Sequence, residues 1–191
     1  MKLRIHIVFL LLCSLPLLVG ASDPEASMRT LMSFDNTAQE PRWIAVNDGV
    51  MGGRSYGSAT LADGKLEFSG ELSLANNGGF SSVRSVGRDF DLSTVTTVVL
   101  LVRGDGRRYQ LRLATDARYR GLPVSYGAPF ETTAGRWIEV RVPLATLSPT
   151  VRGTPLQGMP LDPSRVREIG LLIADKREGA FALALDWIAV E

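Results

Sequence analysis

The chain has 191 residues, with 21 Lys and Arg against 20 Asp and Glu, a formal net charge of +1, one cysteine and one histidine. Charge this nearly balanced leaves no basic footprint for nucleic acid, and the length fits one domain. A lone cysteine excludes an internal disulfide framework.

Lys2 and Arg4 are the only charges before Asp23, so residues 5–22 form an uncharged, Leu-rich and mostly apolar run. Val19 and Ala21 at minus three and minus one predict a secretory signal over 1–21, cut after Ala21. The alternative is an uncleaved anchor helix, at the lower edge of the length that spans a bilayer. Ser22 stands where a lipoprotein signal needs cysteine. The expected localisation is therefore exported, periplasmic or secreted, with no membrane span after cleavage. The 170 residues that remain lack both His6 and Cys13, which removes thiol nucleophiles, zinc–thiolate sites and imidazole bases.

Residues 22–29 read as a flexible lead-in, and residues 30–191 as a single β-sandwich domain. Thr30 to Phe34 and Trp43 to Val46 are short apolar runs separated by turn residues. Ser58 to Leu61, Lys65 to Ser69 and Glu71 to Leu74 alternate apolar and polar residues, with Ala62 to Gly64 as a hairpin turn. Asn76 to Ser85, NNGGFSSVRS, is a second glycine-rich segment with an isolated Phe80, read as core. Val95 to Val102 is a central strand, RGDGRRY a turn, and Tyr109, Leu111 and Leu113 share one face of the return strand opposite Gln110 and Arg112. Gly121 to Phe130, with Pro123 and Pro129, suits an ordered surface segment better than a sheet interior. Trp137 to Val142 alternates again, and Ser148 to Ser164 is a long proline-rich loop. Val166 to Ala174 and Ala180 to Val190 close the chain. In the last, Phe181, Leu183, Leu185 and Trp187 are expected on one face. About eleven short strands with turn signals and no helical periodicity predict an all-β jelly-roll sandwich.

The least filler-like stretch is VNDGVMGGRSYG, Val46 to Gly57, with four glycines in twelve positions between two strands. Glycine costs backbone entropy and is kept where the chain needs positive φ or close approach. The stretch reads as a tight loop whose amides Asn47 and Asp48 turn back to cap. Asp48 and Arg54 pairing inside the loop is the structural alternative.

WIAVNDGVMGGRS, GGFSSVRS, VRGDGRRYQLRL, the Trp137 to Pro143 segment and GLLIADKREGAFALALDWI occur in the order and spacing of the complex I intermediate-associated protein family, which this chain resembles over nearly all of residues 22–191. The resemblance implies a galactose-binding-domain-like β-sandwich, similar also to some carbohydrate-binding modules. It further implies a non-enzymatic assembly-factor or chaperone-like role, as in mitochondrial members that assemble respiratory NADH:ubiquinone oxidoreductase. Those members work in the mitochondrial matrix, whereas this N-terminus predicts export.

The expected function is a non-catalytic binding module for a protein partner. The candidate site joins Asn47, Asp48, Met51, Gly52, Gly53, Arg54, Ser55 and Tyr56 to Arg84, Arg103 and Asp105 from neighbouring loops; Arg103–Gly104–Asp105, a cell-adhesion tripeptide, is read as a turn. Carbohydrate binding is the alternative, since Trp43, Trp137, Tyr56, Tyr109, Tyr119 and Tyr126 supply aromatics for stacking on sugar faces. Hydrolysis by two carboxylates among Asp48, Asp105, Asp175 and Glu178 ranks below both. No catalytic residue, cofactor or metal is assigned.

Overall fold

A computed structural model describes residues 28–35 and 41–191. The expected signal segment, its cut after Ala21 and most of the lead-in lie outside the described residues. Thirteen strands are formed among the described residues: β1 (Arg29–Met32), β2 (Arg42–Asn47), β3 (Tyr56–Ala62), β4 (Lys65–Leu72), β5 (Ser81–Val86), β6 (Thr97–Arg103), β7 (Arg108–Tyr119), β8 (Leu122–Glu131), β9 (Trp137–Pro143), β10 (Ser148–Val151), β11 (Thr154–Pro155), β12 (Glu168–Ile173) and β13 (Gly179–Val190). They pair antiparallel in two sheets. A six-stranded sheet runs β3-β4-β13-β6-β9, with β1 also on β13, and a seven-stranded sheet runs β11-β10-β8-β7-β12-β5-β2. This is the jelly-roll sandwich expected from the alternating pattern. No helix among the described residues is long and apolar enough to cross a membrane.

The two inner faces make one core. Leu66, Phe68 and Leu72 of β4, Val98, Leu100 and Val102 of β6 and Phe181, Leu183 and Leu185 of β13 are buried from one sheet. Tyr109, Leu111 and Leu113 of β7, Val124 and Tyr126 of β8 and Ile169, Leu171 and Ile173 of β12 are buried from the other. Phe68 packs edge-on against Phe181 at 4.9 Å and against Tyr109 at 6.4 Å, so aromatic contacts tie the sheets together.

Besides the long loop expected over Ser148 to Ser164, which carries β10 and β11, three elements depart from the sequence expectation. In β13 the register against β6 shifts between Leu185 and Trp187. The extra residue, Asp186, inverts the alternation, so Ile188 and Val190 are buried and Trp187 is not on the core face. Residues 122–131 are an interior strand, not a surface segment. Pro123 and Pro129 are tolerated because β10 pairs only with Ser125–Gly127, leaving both prolines where β8 has a single strand neighbour. Ser81–Val86, inside the second glycine-rich segment, is a strand between β2 and β12.

The β6–β7 turn is clamped to the β12–β13 connection by a buried ion pair. Arg107 Nε and Nη2 donate to Asp175 at 3.0 and 2.7 Å, and Nη1 donates to the carbonyls of Gly179 and Ala180 at 3.0 and 2.9 Å. Asp105 accepts from Arg107 N, from Tyr109 Oη at 3.1 Å and from Ala182 N at 2.9 Å. Burial works against the Asp175 charge, but the Arg107 hydrogen bonds and charge outweigh it and hold the carboxyl below its ordinary range. Arg107→Leu strands that carboxylate in a nearly dry site, and is expected to cost about 3–5 kcal/mol in urea unfolding, while the Arg107→Leu, Asp175→Leu double replacement costs less than the single one.

Candidate functional site

The glycine-rich loop is built around one carboxylate. Asp48 opens a short 3-10 turn, Asp48–Met51, directly after β2, and is fully buried. Its Oδ1 accepts from Ser55 N at 2.8 Å, and its Oδ2 accepts from Ser55 Oγ at 2.6 Å, Gly79 N at 2.6 Å and Phe80 N at 3.3 Å. The carboxylate therefore binds both glycine-rich segments together. Asn76 Nδ2 adds a bond to Gly52 O at 3.1 Å, and Asn47 links Gly57 O to Ser81 Oγ. A Cβ at Gly53 would come within 2.3 Å of Asp48 Cγ, and one at Gly78 within 2.6 Å of Oδ2, so both glycines clear space for the carboxylate. Arg54 is exposed and does not pair with Asp48; Ser55 and the Gly79 and Phe80 amides take that place.

With the Asn47, Asp48 and Ser55 side chains matched internally, the loop presents apolar side chains outward. Val50 is 75% and Met51 57% exposed, and Leu74 of the neighbouring connection is 41% exposed. All three border a groove of about 820 Å³ over the outer face of the seven-stranded sheet.

The register explains the groove floor. Arg84 of β5 lies opposite Gly170 of β12, Gly170 opposite Arg112 of β7, and Arg112 opposite Gly127 of β8. One row thus alternates arginine and glycine across four strands. Arg112 lies over β8, where a Cβ at Gly127 would come within 2.3 Å of its Nη1. Its Nε, Nη1 and Nη2 donate to Ser125 Oγ at 3.1 Å, Gln110 Oε1 at 3.1 Å and Thr150 Oγ1 at 2.7 Å. Arg84 pairs with Glu168 at 3.2 Å. Phe80, read as core from the sequence, is half-buried and lines the groove.

Of the residues singled out in the sequence, Met51 and Arg84 line this groove. Asn47, Asp48 and Ser55 are spent inside the loop, Gly52 takes φ +88° at its end, and Gly53 packs on Asp48. Tyr56 is 65% exposed on β3, at an edge of the other sheet. Arg103 lies over the Trp137 ring at 5.1 Å on that same sheet, and Asp105 belongs to the buried turn network. The carboxylates weighed for hydrolysis are held by the fold: Asp48 by its loop, Asp105 and Asp175 around Arg107, and Glu178 by the Leu74 amide at 2.9 Å. Val50, Leu74, Gln110, Arg112 and Lys176 of the groove were missed. Gln110 and Arg112 sit on the wet face of the return strand, but nothing local tells that its neighbours there are glycines.

The sequence matches the family description "Complex I intermediate-associated protein 30" over residues 32–185. The chain belongs to this family, which defines a β-sandwich class without identifying a ligand. It is 28% identical over 187 residues to mouse "Complex I intermediate-associated protein 30, mitochondrial", covering 85% of this chain and 56% of the relative, so it spans little more than half the relative's length. Among solved structures it is similar to the family 11 carbohydrate-binding module of a Clostridium thermocellum cellulosomal cellulase, with TM-score 0.62 and 14% identity over 86% of this chain and 94% of the module. The same module in complex with a β-1,3-1,4-mixed-linked tetrasaccharide gives TM-score 0.61 at 14% identity, covering 85% of this chain and 94% of that one. An agarase matches at TM-score 0.57 and 15% identity, covering 86% of this chain and 24% of the enzyme. These likenesses establish the fold. The comparison corrects the expected exported localisation: the curated relative is mitochondrial, and the signal-like residues lie outside those described.

Burial acts to raise the Asp48 pKa, but hydrogen bonds from the Ser55 side chain and the Gly79, Ser55 and Phe80 amides outweigh it and set it below the ordinary value. Its stabilising contribution is complete above the unfolded carboxyl pKa of about 4 and is lost as pH falls through the lower folded value. Asp48→Asn is expected to cost about 2–4 kcal/mol in urea unfolding at neutral pH, with the gap to wild type narrowing in acid.

Proposed function

We propose that this chain is a non-catalytic binding domain that holds a polypeptide partner in the groove over its seven-stranded sheet. As the family description suggests, that partner is an intermediate of respiratory complex I assembly. The observation that carries this reading is the rigid apolar rim. Three exposed hydrophobic residues on loops pinned by a buried carboxylate form a surface already ordered for contact, so little entropy is lost when a partner covers it. The family membership supports an assembly role, and the fold of the solved relatives supports a binding domain.

Glycan binding is the second reading, favoured by the carbohydrate-binding modules that share the fold. Sugar faces stack on flat aromatic rings. Among the described residues no Trp or Tyr lines the groove, and Phe80 is its aromatic side chain. Tyr109 and Tyr126 are buried in the core, while Trp43 packs against Phe34 at 6.0 Å.

A Val50→Asp, Met51→Asp variant replaces two of the three rim residues while keeping the Asp48 network. Both positions are exposed, so its thermal midpoint is expected to match wild type. In co-precipitation with complex I subcomplexes from cells of the chain's own source, recovery by the variant is expected to fall by at least about tenfold. Equal recovery, or wild-type chain binding neutral oligosaccharides on a glycan array, contradicts the reading.

A further inference from the structure

The groove floor holds an arginine without a counter-charge. All three hydrogen-bond partners of Arg112 are neutral: Ser125 Oγ, Gln110 Oε1 and Thr150 Oγ1. Arg84 and Arg107 each face a carboxylate, whereas no ion pair among the described residues includes Arg112. A guanidinium has five N–H donors, and the three bonds occupy one on each nitrogen, leaving two on the forked end. Burial pulls the Arg112 pKa down, the mark of a cation held in a poorly solvated place.

The charge around it is one-sided. The groove is lined by the cations Arg84, Arg112, Arg152 and Lys176 and by a single carboxylate, Glu168. The chain as a whole is almost neutral, so this surplus is local. Gly127 gives the Arg112 guanidinium room to lie against β8, and Gly170, its register partner on β12, puts no side chain on the other flank, which leaves that flank for an incoming group. A planar fork with two free donors matches a carboxylate, which it binds in bidentate geometry and with a strength that neutral acceptors lack.

Resting on the polypeptide reading above, we infer that Arg112 anchors a carboxylate of an acidic segment whose apolar residues settle on the Val50, Met51 and Leu74 rim. The carboxylate supplies the charge that the floor lacks, and the rim supplies contact area. Arg152 and Lys176 steer the acidic segment toward the groove, so association weakens as salt screens them.

The test screens the full chain against a random dodecapeptide library, with polygalacturonate as an anionic glycan probe. Recovered peptides are expected to combine Asp or Glu with Leu, Met or Phe, and to lose affinity about tenfold when their acids become amides. Arg112→Gln is expected to bind the acidic and amide forms alike, and Arg112→Lys to keep part of the preference. Urea midpoints report whether each variant is folded. If Arg112→Gln is unfolded, salt decides: wild-type affinity for acidic peptides that does not fall at high salt overturns the inference. Peptides recovered without acidic bias, or an acid preference unchanged in Arg112→Gln, overturn the carboxylate anchor and leave the polypeptide reading standing. Polygalacturonate binding with no peptide recovered overturns both.

Discussion

The buried carboxylate of Asp48 is the constraint on which the candidate surface depends. Two loops rich in glycine, each too flexible to hold a shape alone, meet on its oxygens through the Ser55, Gly79 and Phe80 hydrogen bonds. Charge-assisted bonds to amides are stronger than neutral ones, and here they replace the water that a buried carboxylate would otherwise demand. Gly53 and Gly78 are part of the same device, because a side chain at either position would occupy the carboxylate's space. The loop tip is thereby freed of internal duty, and its Val50 and Met51 side chains stand exposed.

A second polar centre does comparable work at the β6–β7 turn. Arg107, Asp175, Asp105 and Tyr109 lock this turn against the connection into β13. Burial, assisted by the negative charge of Asp105, keeps the Tyr109 hydroxyl far above its usual pKa, so it stays a neutral donor. Both centres use carboxylates to hold loops, which is why acidic residues that looked chemically available belong to the scaffold. The outer face of the seven-stranded sheet is left as the surface where charge and apolar area are still unmatched.

Much of the sandwich was legible in the sequence because its strands alternate, and the β4, β7 and β13 core residues follow that period up to Leu185. The alternation failed at Asp186, where one extra residue turns the rest of β13 over. β8 was hidden by prolines that sit beyond its contact with β10. The glycine-rich loop could be recognised as special, yet its partner could not: Gly78 and Gly79 lie some thirty residues away, and only the pairing of β2 with β5 brings them to Asp48. Arg112 was visible on the polar face of its strand. Its significance came from Gly127 across the β7–β8 hairpin and Gly170 on β12, distant in sequence, and cross-strand register is not written in local pattern.

The central claim is that the rigid loop corner and the sheet beside it form one recognition surface. Hydrogen exchange of the full chain, with and without a bound complex I subcomplex, tests it most directly. The account predicts slowed exchange in the loops around Val50 and Leu74 and in β5, β7 and β12, with β3 and β9 unchanged. Protection confined to the six-stranded sheet would contradict it.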